Sequence, residues 1–143
     1  FSYYLMSVSQ MVNLRPLPVK LITPEETYEE EMFFMVVMNG KSAGGLKTLS
    51  PDSEINDGKM DVILFRETPI MNVLPLIIEF AQGKHLYNKH VLYFQTSQLR
   101  IESPVEISTD VDGEKGTALP LDFSILHKRL RIISADTGIG EIN

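Results

Sequence analysis

The hexapeptide VDGEKG, residues 111–116, sets two carboxylates, Asp112 and Glu114, around a glycine between two strand-like runs. Paired carboxylates at one edge suit two tasks: taking a proton from an attacking hydroxyl and holding a divalent cation. On extended flanks, residues two apart point to the same side. The Asp-Gly step is equally a strong hairpin signal, because glycine accepts a positive φ without steric cost. An ordinary turn therefore satisfies the spacing as well as a displayed acid pair does.

Two further stretches bear on charge. EINDGKMD, residues 54–61, offers several oxygen donors beside a glycine. Asp57 before Gly58 lets a carboxylate and neighbouring backbone carbonyls converge on a hard cation, although the ligand alternation of an EF-hand is absent. MNGKSAGG, residues 38–45, carries Asn39, Gly40, Gly44 and Gly45. Successive backbone N–H groups in such a loop can ring an anion, but the spacing is not that of a P-loop. His85, His90 and His127 lack the spacing of a zinc site. Solvent or a helix C-terminus accounts for each of them. No serine sits in a G-x-S-x-G elbow.

These residues need elements to position them. A leading helix is expected from the apolar recurrence at Tyr4, Met6, Val8, Met11 and Val12, ended by prolines 16 and 18. Val19–Thr23 reads as a short strand, and PEETYEEE, residues 24–31, as a solvated turn or loop. Met32–Asn39 and Met60–Phe65 read as buried strands. Met71–Gly83 has helical periodicity with a terminal glycine as stop, and Pro75 falls near its first turn. Beyond it the period changes to two over Val91–Thr96, Leu99–Ser103, Val105–Thr109, Leu121–Leu126 and Leu130–Ser134. The expected fold is mainly β: an antiparallel β-sandwich with a leading helix and one internal helix. Residues 15–136 form the domain, with 1–14 as a leading helix and 137–143 as a frayed tail.

The 143 residues are one ordinary domain. A net charge of −6 disfavours nucleic acid as a main partner. The chain has no cysteine, which removes disulfides and thiolate chemistry and suits a reducing cytoplasm. No apolar run reaches the ~20 residues that span a bilayer.

In order and spacing, the opening helix with its tyrosine pair, then VVMNGKSAGG, SPDSEINDGKMDVILF, QGKH and VDGEKGTALP resemble the C-terminal domain of the bacterial diacylglycerol kinase-like lipid kinases, relatives of sphingosine and ceramide kinases. The resemblance runs from about Tyr3 to Ile133. It implies the β-sandwich half of a two-domain enzyme whose active site lies in the cleft against an N-terminal α/β domain. That domain's Gly-Gly-Asp-Gly-Thr nucleotide loop is not in this sequence. The implied cofactors are ATP and Mg²⁺, and the implied acceptor is a lipid met at the inner membrane face by a cytoplasmic, peripheral protein. Carried over by position, Asp112 is the implied general base and Glu114 holds Mg²⁺ or, through it, the nucleotide. Asp57 is the carboxylate of a structural Mg²⁺ site, with the carbonyls of Glu54 and Lys59 as companions. Asn39, Gly40, Gly44 and Gly45 line the cleft. The other partners implied are the N-terminal domain and a possible second copy through exposed sheet edges. A half-site is expected to be inactive alone. The competing expectation is a non-catalytic sandwich that binds a lipid or a protein partner.

Overall fold

The computed structural model describes residues 15–42 and 49–129. Among the described residues, eight strands, one α-helix and one 3₁₀ turn follow in the order β1 Leu17–Ile22, β2 Thr27–Met38, β3 Met60–Arg66, α1 Ile70–Ala81, the 3₁₀ turn His85–Tyr87, β4 Val91–Thr96, β5 Gln98–Glu102, β6 Asp110–Val111, β7 Glu114–Lys115 and β8 Leu121–Ser124. Six of them form one antiparallel sheet ordered β4-β3-β2-β1-β5-β8, and β6 and β7 form a separate ribbon. The fold is mainly β, as the alternation predicts. The expected leading helix and the strand at Leu130–Ser134 lie outside the described residues.

The sheet folds over on itself because β2 is shared. Its first half, Thr27 to Met32, pairs with β1. Its second half, Met32 to Met38, pairs with β3. Between them the register slips at Met32/Phe34, a bulge that puts one extra residue into β2. Parity flips there. Tyr28 and Met32 point into the larger core before the bulge, and Met35 and Val37 after it. The result is sandwich-like: Tyr28 from the first half stacks on Phe94 of β4 in the second, with ring centroids 4.8 Å apart.

Strand β3 is apolar on both faces because it lies between two layers. Met60, Val62 and Leu64 face the core shared with β1 and β5. Ile63 and Phe65 face a second cluster, to which Leu76 and Phe80 of α1 and Leu86 of the 3₁₀ turn contribute. Fully burying one such Leu or Ile contributes about 1.5–3 kcal/mol, so a continuous run like MDVILF is what a strand covered twice requires.

Three expectations need correction. The acidic run does not form a loop from 24 to 31, because residues 27–31 belong to β2. Glu29 and Glu31 point to solvent, while Glu30 is half-buried and takes Arg66 bidentately, at 2.8 and 2.6 Å. That pairing satisfies an acid on an inward position and holds the Arg66 guanidinium above its ordinary range. Val105–Thr109 is not a strand. Ile107 inserts into the core while Val105 stays exposed, so these alternating side chains come from irregular backbone. Pro75 is not in the first turn of α1 but at its sixth residue, where no N–H is offered to the Met71 carbonyl.

Candidate functional site

The VDGE stretch folds as the hairpin its Asp-Gly step predicts. Val111 pairs with Glu114 and Asp110 with Lys115. Asp112 and Gly113 form the two-residue loop with φ of 54° and 90°, the signs a type I′ turn requires. The turn is pinned by the Asp110 carboxylate, whose Oδ1 accepts the Gly113 N–H at 2.9 Å. At the ribbon's base, the Thr109 hydroxyl donates to the Thr117 carbonyl. Asp112 and Glu114 are both exposed. Because Asp112 is left-handed rather than extended, the two-residue alternation does not set its direction relative to Glu114, which corrects the expectation from sequence. The three grooves described on this surface are lined by neither carboxylate.

The second candidate, the loop of residues 54–59, sits where β3 begins and β2 ends. Asp57 Oδ1 accepts the Lys59 N–H at 2.8 Å, an Asx turn that fixes the carboxylate over the tip. Gly58 has φ of 76°, and a Cβ there would come within 2.7 Å of His127 Nδ1. The chain leaving β8 thus packs directly on this turn. On the other side, a Cβ on Gly40 would lie 3.7 Å from Ile55 Cγ2. The structure therefore brings Asn39 and Gly40 beside the Glu54–Lys59 loop. Gly44 and Gly45 lie outside the described residues. No hydrogen bond or ion pair among the described residues joins this loop to the Asp112 hairpin, which stands between β5 and β8.

Asp57 is exposed and offers its second oxygen to solvent, so one carboxylate with adjacent carbonyls suits a largely hydrated Mg²⁺. Among the described residues no group of three His, Cys, Asp or Glu side chains converges as a metal cage. The donor set available is carboxylate plus carbonyl.

Sequence reasoning missed what anchors the loop. Asp61, 1 % exposed, occupies the face of β3 under the Leu49–Ser50 corner. Its Oδ1 accepts hydrogen bonds from Ser50 Oγ at 2.9 Å, Tyr93 OH at 2.7 Å and Gln95 Nε2 at 3.1 Å. Burial and this bond to Asp61 push the Tyr93 hydroxyl up to about 12. The same corner donates the Leu49 and Ser50 N–H groups to the Lys41 carbonyl. The signal was an acid inside an otherwise apolar strand, MDVILF, which burial allows only with donors around it.

His85 completes the corner, which corrects the expectation of solvent or a helix C-terminus as its partner. It is fully buried, and Nε2 donates to the Leu49 carbonyl at 2.8 Å. Its ring packs on Phe80, with centroids 4.5 Å apart. Burial pushes the imidazole below its usual range, against the opposing pull of the Leu49 carbonyl and Glu79. The unfolded chain therefore takes up a proton near pH 6.5 that the folded chain refuses, so stability is full above that pH and falls as pH drops below it. One proton sets an upper bound of ~1.4 kcal/mol per pH unit on the slope from this group. Urea unfolding of the parent and His85→Gln at pH 7.5, 6.5 and 5.5 checks this. A stability difference between them that stays constant across the series contradicts it.

Residues 1–134 match the family described as YegS C-terminal NAD kinase beta sandwich-like domain. The chain belongs to that family. Among relatives of this YegS-type domain, a diacylglycerol kinase of Bacillus subtilis (strain 168) is 24% identical over 132 residues, covering 92% of this chain and 44% of the relative. A Shewanella frigidimarina protein named "Probable lipid kinase YegS-like" is 25% identical, covering 92% and 42%. Two solved structures from Bacillus anthracis str. Sterne share the fold. One has a TM-score of 0.72 at 23% identity, covering 87% of this chain and 43% of its own. The other, named a diacylglycerol kinase, has a TM-score of 0.61 at 19% identity, covering 84% and 43%. The YegS-type domain thus spans less than half the length of these relatives, and its kinship is with lipid kinases.

Proposed function

We propose that this domain is the C-terminal part of an ATP- and Mg²⁺-dependent lipid kinase that transfers the γ-phosphate of ATP to the primary hydroxyl of a lipid such as diacylglycerol. The observation that carries the reading is the exposed, pinned type I′ hairpin with Asp112 at its tip and Glu114 on its return strand. Phosphoryl transfer asks the protein for positioning and charge compensation more than for covalent chemistry. Asp112 takes the proton of the lipid hydroxyl as that oxygen bonds to the γ-phosphorus. The bond from phosphorus to the bridging oxygen breaks, and ADP leaves with that electron pair. Glu114 would hold Mg²⁺, which supplies compensation for the phosphate charge. Asp57, with the Glu54 and Lys59 carbonyls, would hold a second, structural ion. Asn39, Gly40, Gly44 and Gly45 would line the cleft on the acceptor side. The opposite wall, with the phosphate cradle, belongs to a nucleotide-binding domain in the rest of the protein. The protein would work from the cytoplasm at the inner membrane face, and exposed sheet edges leave room for a second copy.

Transfer of radiolabelled phosphate from ATP to diacylglycerol in detergent micelles tests the reading: the complete protein transfers it, and the 143-residue chain alone does not. A complete protein without transfer to any lipid alcohol leaves a non-catalytic sandwich. The ion at Asp57 is tested separately. Millimolar Mg²⁺ should raise the Tm by several degrees, as ligand binding to the native state alone dictates, and Asp57→Asn should abolish the shift. Equal shifts in both proteins, or none, remove that ion.

A further inference from the structure

Helix α1, IMNVLPLIIEFA, has apolar residues on more than the face it buries. Leu76 and Phe80 enter the core beneath it. Asn72 and Glu79 face sideways, where Asn72 meets His90 at 3.3 Å and Glu79 accepts the Asn88 amide at 2.6 Å. Met71, Pro75 and Ile78 fall within about 60° of one another on the outer side. Met71 is 83% exposed and Ile78 50%. A helix buried on one side only should be polar there.

The neighbouring turn extends this surface. Tyr87 is 82% exposed and shares a shallow groove with Glu79 and Lys84. Lys84, which lines that groove, and Lys89, two residues beyond Tyr87, are both exposed. Residues 70–90 hold two lysines and one acid, in a chain whose net charge is −6. The outer face is thus an apolar stripe with an exposed tyrosine and a basic margin, the composition of an interfacial helix.

We propose that this face of α1, with the Tyr87–Lys89 turn, docks on the surface of an anionic lipid bilayer. Lys84 and Lys89 meet headgroup phosphates, while Met71 and Ile78 enter the acyl boundary. Pro75 favours the bilayer over a protein partner. It offers the Met71 carbonyl no N–H, and a dry protein interface would cover that oxygen, whereas the hydrated headgroup layer solvates it. The proposal rests on the lipid-kinase reading only in that a lipid acceptor must be met at a bilayer.

Sedimentation with vesicles of phosphatidylglycerol and phosphatidylcholine tests it and needs no catalysis. The chain should partition onto mixed vesicles, much less onto phosphatidylcholine alone, and less as salt rises. Lys84→Gln and Lys89→Gln should each weaken partition about fivefold. Met71→Glu with Ile78→Glu should weaken it tenfold or more, with circular dichroism and Tm unchanged because both sites are exposed. Partition of the doubly substituted chain at the parental level overturns the proposal, as does failure of the parent to bind. Loss of self-association in analytical ultracentrifugation without loss of partition also overturns it and assigns the face to a second copy. Vesicle binding without phosphoryl transfer removes the kinase reading alone; transfer to micellar lipid without vesicle binding removes the docking face alone.

Discussion

Asp112→Asn in the complete protein should lower kcat for lipid phosphorylation by about 10²–10⁴-fold, the usual contribution of a positioned general base, while ATP affinity changes less than about twofold. The substitution isolates chemistry from folding. Residue 112 sits at φ of 54°, and asparagine is at least as comfortable there as aspartate. The pin that holds the turn comes from Asp110 rather than from Asp112. Volume, turn type and ladder pairing therefore survive, and only the basic oxygen is lost. Glu114→Gln should behave differently, with activity restored in part by raised Mg²⁺, because it would remove a cation ligand instead of the proton acceptor. Steady-state kinetics of both variants across Mg²⁺ concentration separate the roles. Near-normal turnover of Asp112→Asn beside an inactive Glu114→Gln would transfer the base to Glu114.

The largest effect on stability is expected at Asp61, far from the hairpin in sequence. Asp61→Ala removes the shared acceptor of three donors, Ser50 Oγ, Tyr93 OH and Gln95 Nε2, of which Ser50 is fully buried. Breaking a buried polar network by removing its centre costs roughly 3–5 kcal/mol. Asp61→Asn keeps an acceptor oxygen for them and should cost less than half as much. The midpoint of urea unfolding reports both. Because the network ties the Leu49–Ser50 corner, Asp61→Ala should also speed proteolysis within residues 51–59 below the unfolding transition. A loss under ~0.5 kcal/mol with unchanged proteolysis would mean that the corner is held by Lys41 and His85 without it.

The core strands were legible because burial writes directly into sequence: β3 is apolar from Met60 to Phe65 except at Asp61, and β4 and β5 carry the expected ends to within a residue. The start of β2 was hidden. Its inward Glu30 breaks the apolar alternation, and only Arg66, thirty-six residues on, explains why an acid is tolerated there. The bulge is equally silent, since an extra residue in a ladder has no composition of its own. At the site, local chemistry was readable and long-range chemistry was not. Two Asp-Gly steps declared the turns at 112–113 and 57–58, each now seen with a positive-φ glycine. The Asp61 network joins residues 50, 61, 93 and 95, and the packing of His127 on Gly58 joins distant segments; neither leaves a local trace.

The bulge in β2 also constrains how the chain can vary. Removing the single unpaired residue between Met32 and Phe34 would shift the phase of one half of the strand against the other. Keeping Met35 and Val37 inward would then turn Glu29 and Glu31 toward the interior and Tyr28 out of its stack with Phe94. The spacing along this one strand is thus fixed to the residue, because every inward side chain on either side of the bulge depends on it.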